Sequence, residues 1–208
     1  MSHAGQKRDR FIVFEGIDGA GTTTQTRRLT ERLRAHAYDV WQTSEPTSRP
    51  IGRLIRDVLS GSVVVSPDTI AHLFAADRSD HLYSPGGIVE RLAGGQIVVC
   101  DRYKYSSLAY QALDTDAELV RSLNERFDDP GLLFYLDLPV SVSETRIAGR
   151  AHREIYERIE FQERVRTRYL EVLAAAAPSV RVYRLDGTQP EDLIAEKIWV
   201  AVMEASIL

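Results

Sequence analysis

Residues 11–24, FIVFEGIDGAGTTT, pass from an apolar β-type run straight into a glycine-spaced turn and then into a helical pattern. Few architectures accommodate that order. A short, almost uniformly apolar strand needs cover on both faces, and a helix entered directly from a tight glycine loop folds back to cover one of them. The pattern recurs along the chain. Runs at 11–15, 39–43, 96–100, 132–137 and 180–185 read as strands one to five. Helical spacing is predicted at 23–36, 50–60, 67–83, 84–93, 104–127, 140–149, 158–177 and 190–206. Leu29, Leu33 and Ala37 mark one stripe; Phe161, Val165, Tyr169 and Leu173 mark another, opposite arginines and glutamates. Alternating strands and helices predict an α/β fold, a three-layer sandwich with a parallel sheet covered by helices on both faces. In such sheets ligands bind beyond the carboxyl ends of the strands, where the glycine loop falls.

A chain of 208 residues suits one compact domain, and no repeat, low-complexity tract or linker divides it. Residues 1–10 read as a polar tail and 11–208 as the domain. MSHAGQKRDR lacks the apolar centre of a leader peptide, and no apolar run approaches the roughly 18 residues of a membrane span. A cytoplasmic protein without membrane contact is expected. The net charge of −4 argues against a nucleic-acid surface. Cys100 is the only cysteine, which excludes an internal disulfide or a thiolate metal cluster. All but three of the 26 basic residues are arginines, the side chain that grips phosphate bidentately. A coding bias accounts for that imbalance equally well.

The pattern G-x-x-x-x-G-T-T spans Gly16–Thr23 between a strand and a helix. Glycines there let successive backbone N–H groups converge on phosphate oxygens, and the helix N-terminus adds partial positive charge. The Thr23 hydroxyl is expected on Mg²⁺. Thr22 stands where such loops carry their lysine. The alternative is a glycine-rich turn that binds nothing.

With Glu15-Gly16-Ile17-Asp18-Gly19 the loop resembles that of thymidylate kinases. The resemblance continues in order through Ser44-Glu45-Pro46, Ile55-Arg56 and LFAADR at 73–78. It is closest in DRYKYSSLAYQ at 101–111, then passes through YLDLP at 135–139, Tyr156-Glu157 and FQERV at 161–165. It covers about residues 11–190.

The resemblance implies a five-stranded P-loop kinase sheet of order 2-3-1-4-5 and Mg²⁺-dependent phosphoryl transfer from ATP to dTMP. A homodimer through helices near 50–83 is implied as well. Gly16, Asp18, Gly19, Ala20, Gly21, Thr22, Thr23 and Thr24 correspond to the donor loop, with Arg146 beside the donor adenine and residues 186–189 bracketing it. Arg102 and Arg56 correspond to acceptor-phosphate arginines, Phe74 to the ring that stacks on thymine, and Arg78 and Gln111 to the groups on its edge. Ser107 and Tyr110 line that pocket in the family; Asp18 and Glu45 lie near the acceptor sugar and Asp101 near Mg²⁺. Core aromatics remain the alternative for Phe74 and Tyr110, and surface ion pairs for the charged residues.

Three departures stand out: Thr22 for lysine, Ile155 where many relatives carry arginine, and ALDTD after Gln111 without the usual glycines. The basic segment 149–158 resembles the family's lid, and Arg150, Arg153 and Arg158 are its candidate cations. Arg153 is expected to replace the missing loop charge, ahead of Lys104, which is also expected to be solvent-facing. The other readings are a weakly active or inactive nucleotide-binding relative, and a kinase for another nucleotide or nucleoside.

Overall fold

The computed structural model describes residues 9–148, 156 and 159–205. Five parallel strands form one sheet in the order β2-β3-β1-β4-β5, as the resemblance implied. They are β1 (Phe11–Gly16), β2 (Val40–Ser44), β3 (Ile97–Asp101), β4 (Leu132–Asp137) and β5 (Arg181–Asp186). Phe11, Ile12, Val13 and Phe14 are each 2% exposed or less. Successive strand side chains point to opposite faces, so this run is possible only with both faces covered. β5 behaves differently: at the sheet edge its residues alternate between half-buried and exposed. Phe14, Phe134 and Tyr183 are register partners on adjacent strands, and both ring pairs stack at 5.2 Å. This ladder ties the central strands to the edge.

Helices α1 (Thr22–Ala35), α2 (Pro50–Leu59), α3 (Pro67–Tyr83) and α4 (Ile88–Ala93) precede β3. α5 (Lys104–Tyr110), a 3₁₀ turn (Gln111–Leu113) and α6 (Ala117–Glu125) lie between β3 and β4. Beyond β4 come α7 (Val140–Ile147), α8 (Ile159–Ala174) and α9 (Glu191–Glu204). Two expectations need correction. The helix expected at 84–93 begins only at Ile88, because Ser84-Pro85-Gly86-Gly87 forms a turn after α3. The helix expected at 104–127 is broken at Gln111. There Asp116 caps α6 by accepting the Glu118 N–H at 2.9 Å. Asp116 favours a cap over a helix interior through this local bond, so it starts α6, while the Thr115 hydroxyl donates to Asp68 on α3.

Register places the strand ends together: Phe14 and Ser44 both face Asp101, and Gly16 faces Leu136. The loops that leave β1, β2 and β3 therefore meet at one edge. Asp9, assigned to the tail, is tied down by Arg181 at 2.9 Å. No helix among the described residues is long and apolar enough to cross a membrane.

Candidate active site

A cavity of about 630 Å³ opens at that edge. Its floor begins with the glycine loop. Gly19 and Gly21 have φ of +76° and +96°, left-handed conformations that cost a residue with a Cβ roughly 1–2 kcal/mol. Gln25 N–H donates to Gly21 O at 3.0 Å, so the N–H groups of Thr22, Thr23 and Thr24 precede the first helical bond. No acidic residue stands in this first turn to offset its partial positive charge. Ala20 departs from expectation, since its N–H is engaged by Ile17 O at 3.1 Å and its side chain is buried. Thr23 Oγ1 donates to Asp101 Oδ2, while Asp101 Oδ1 is buried without a partner among the described residues. Arg146 bridges the loop to the turn after β5, donating to Gly19 O at 3.3 Å and Gly187 O at 3.0 Å.

Past β3, Arg102 takes a left-handed φ of +68°, which a non-glycine residue holds only when its surroundings insist. They do. Its N–H donates to Phe14 O at 2.8 Å, its Nη1 to Gly16 O at 2.9 Å, and the Tyr103 N–H to Glu15 Oε1 at 2.9 Å. The guanidinium thereby points at the glycine loop, with Nη2 2.6 Å from Asp18 Oδ1. Asp18 also accepts from Tyr110 Oη at 3.2 Å and Gln162 Nε2 at 2.8 Å.

Glu15 anchors this turn from below the cavity. It is fully buried and accepts from the Ser106 N–H at 3.2 Å, the Ser106 hydroxyl at 2.6 Å and Tyr169 Oη at 2.9 Å. Burial pushes its carboxyl up to about 7, against the opposing influence of the Ser106 bond and the Arg102 charge. Burial also pushes the phenols of Tyr110 and Tyr169 up, which keeps both neutral.

α3 and the loop after β2 build the remaining wall. Phe74, Asp77, Arg78 and His81 share one helix face and all are buried. Asp77 accepts the Thr47 N–H at 2.7 Å and its hydroxyl at 2.6 Å. The loop so fixed holds Arg56 through the carbonyls of Pro46 and Thr47, and Gly52 O, one turn back on α2, accepts from it as well. Among the described residues no carboxylate pairs with Arg56, so its charge is available to an anion. Arg78 is 0% exposed and donates to Glu45 Oε2 at 2.8 Å, Ser107 Oγ at 3.2 Å and Asn124 Oδ1. Glu45 Oε1 lies 3.0 Å from His81 Nδ1. Gln111 is buried, and its Oε1 has no partner among the described residues.

Apart from Gly16, Ala20, Lys104, Ser107 and the turn at 186–189, every expected site residue among the described ones lines this cavity. Ser107 packs against Arg78, and Ser106 provides the wall instead. Arg150, Arg153 and Arg158 lie outside the described residues. Lys104 is corrected: it is buried rather than solvent-facing, with Nζ 2.7 Å from both Phe127 O and Asp129 Oδ1, and it does not line the cavity. Sequence reasoning gave no role to Glu15, Asp77, Asn124 or Gln162. Glu15 and Asp77 carried one signal, an acid placed directly after an apolar run, FIVF and LFAA.

The family model described as thymidylate kinase matches residues 14–198. A protein of Treponema pallidum named "Putative thymidylate kinase" is 42% identical over 192 residues, 90% of this chain and 92% of the relative. One of the same name from Aeropyrum pernix is 41% identical, covering 93% and 97%. A "Probable thymidylate kinase" of Thermococcus onnurineus is 44% identical, covering 83% and 87%.

Proposed function

The chain belongs to the thymidylate kinase family, and from that premise we propose that it transfers the γ-phosphoryl group of ATP to dTMP, giving ADP and dTDP on the way to dTTP. One observation carries the reading. The guanidinium groups of Arg56 and Arg102 line the same cavity as the exposed N-terminus of α1 and the ring of Phe74. Two phosphate-bearing ligands and one flat base are what such a surface complements.

The triphosphate rests on the N–H groups at Gly19 and Gly21–Thr24, with adenine beside Arg146 and the turn after β5. dTMP stacks its base on Phe74, an interaction worth roughly 1–3 kcal/mol. Arg78 and Gln111 meet the base edge, Asp18 and Glu45 the sugar, and Tyr110 closes that side. Arg56 and Arg102 take the acceptor phosphate, Arg102 exchanging Asp18 for it. Thr23 Oγ1 and Asp101 are the residues that would hold Mg²⁺. Oδ1 of Asp101 is buried with an open acceptor valence, and hard oxygens in so small a number suit an ion that keeps most of its waters. When bound, the ion neutralises charge on the β- and γ-phosphate oxygens. Phosphoryl transfer asks the protein for alignment and neutralisation rather than covalent chemistry, and the residues present supply both.

Removing Arg102 tests the reading. Arg102→Ala deletes a charge-assisted contact of roughly 1.5–3 kcal/mol, so kcat/KM for dTMP is expected to fall about ten- to a hundredfold. An unchanged value rejects the role. The competing reading, a weakly active or inactive nucleotide-binding relative, is favoured by Thr22 in the lysine position. ADP release measured over a panel of monophosphates and nucleosides separates these readings and identifies the acceptor.

A further inference from the structure

Asn124 comes from α6, a helix that contributes no residue to the cavity lining. It is 2% exposed nonetheless, and it reaches the most deeply buried cation of the site. We infer that Asn124 is a positioning residue for Arg78, and that through this contact it sets which pyrimidine edge the cavity accepts. The inference rests on the reading of Arg78 as the group that meets the base.

The orientation of the Asn124 amide is determined from both ends. Its Nδ2 donates to Val120 O at 2.7 Å, one turn back on the same helix. Its Oδ1 faces Arg78 Nη1, and a guanidinium carries no acceptor, so only the oxygen suits that side. Arg78 is therefore gripped by acceptors from three separate places: Glu45 after β2, Ser107 on α5 and Asn124 on α6. The rings of Tyr103 and Phe127 lie 5.3 and 5.7 Å from its Cζ.

A guanidinium is a rigid planar fork with five N–H groups. Glu45 accepts the Nε proton and lies within ion-pair distance of Nη2, Ser107 accepts one proton on Nη2, and Asn124 accepts one on Nη1. These contacts from three elements hold the rigid fork, and Nη1 keeps one N–H beyond the bond to Asn124 for which the described residues supply no acceptor. That N–H is a donor, so it complements a ring carbonyl and opposes a ring amino group at the same place. Without Asn124, Nη1 keeps its burial and loses its acceptor, while Glu45 remains as the only charged partner among the described residues. The fork then turns towards Glu45, and the donor leaves the base edge. Arg56 and Arg102 hold the phosphate independently of this, so binding and base choice suffer while transfer from the bound complex does not.

The test compares Asn124→Leu, Asn124→Asp and Arg78→Ala in steady-state kinetics with dTMP and dCMP, beside thermal unfolding. Asn124→Leu is expected to raise the dTMP KM about tenfold and narrow the preference over dCMP by a similar factor, with kcat within about twofold. Asn124→Asp keeps an acceptor oxygen and is expected to restore most of both. A Leu variant with lower unfolding temperature but unchanged KM and base preference assigns Asn124 a structural role only and overturns the inference. Should that variant not fold, Asn124→Ala is read in the same way. If Arg78→Ala also leaves KM and preference untouched, the reading of Arg78 fails first; if Arg78→Ala alone moves them, only the role of Asn124 fails.

Discussion

Glu15 shows how a single buried group shapes this site. Two backbone N–H groups and two hydroxyls converge on its carboxyl, and they hold the turn that carries Arg102. Burial raises its pKa from 4.5 to about 7, so between those values the folded chain holds a proton that the unfolded chain has released. Stability from this proton is complete below about 4.5 and is lost as pH rises through about 7, a change on the order of 3 kcal/mol. Glu15→Gln mimics the protonated carboxyl and does not titrate. Urea unfolding at pH 5 and pH 8 should show the wild-type midpoint falling more steeply with pH than the variant's; parallel midpoints exclude a proton on Glu15. Residues whose chemistry is local, such as the glycines at positive φ, are legible in the sequence. Asn124 is not, because its partner Arg78 lies 46 positions away on another helix.

At the scale of elements, the loop and helix α1 separate binding from transfer. Backbone N–H groups at Gly19 and Gly21–Thr24 need only the glycines and the helix start, and both are present. Thr22 lines the cavity but supplies no charge. A cation brought by the lid segment 149–158 remains our proposal for the missing lysine, because lids close onto the transferring group. Lys104 is already engaged by Phe127 and Asp129. Single-turnover transfer by Arg153→Ala should therefore be slower by about 10²–10³, the usual effect of losing one preorganised donor, whereas Lys104→Ala should not slow it. If Arg153→Ala transfers normally while Thr22→Lys gains about a hundredfold, no substitute exists and the weakly active reading prevails. The break at Gln111 belongs to this scale too. It turns an expected long helix into two, which leaves Gln111 in the cavity wall and frees α6 to approach Arg78 from its own direction.

For the molecule as a whole, the net charge of −4 coexists with a cavity that gathers Arg56, Arg78, Arg102 and Arg146. Asp18, Glu45, Asp101 and Glu191 line it as well, and Arg78 and Arg102 pair with Glu45 and Asp18, so Arg56 is the guanidinium most open to an anionic ligand. Pairing of two copies across α2 and α3 is proposed on the family resemblance. Leu54 at 39%, Val64 at 91% and Tyr83 at 51% exposure leave apolar surface there or close by. Light scattering should give about twice the chain mass of 23.4 kDa; a single-chain mass rejects the pairing.

The sequence by itself determined the sheet. Every expected strand lies within one residue of its place; for β1, β3 and β4 the reason is that apolar runs of this length, bounded by turns and helices, have no other way to bury both faces, while the edge strands β2 and β5 are only partly buried. It also determined the glycine loop, whose conformation follows from residues adjacent in the chain. Tertiary structure decided how the polar residues were shared out. Lys104 went to Phe127 and Asp129, Glu15 to the Arg102 turn, and Asn124 to Arg78. Each is a polar group taken out of water, and each had to find its partner among whatever groups the packed elements brought within hydrogen-bond reach.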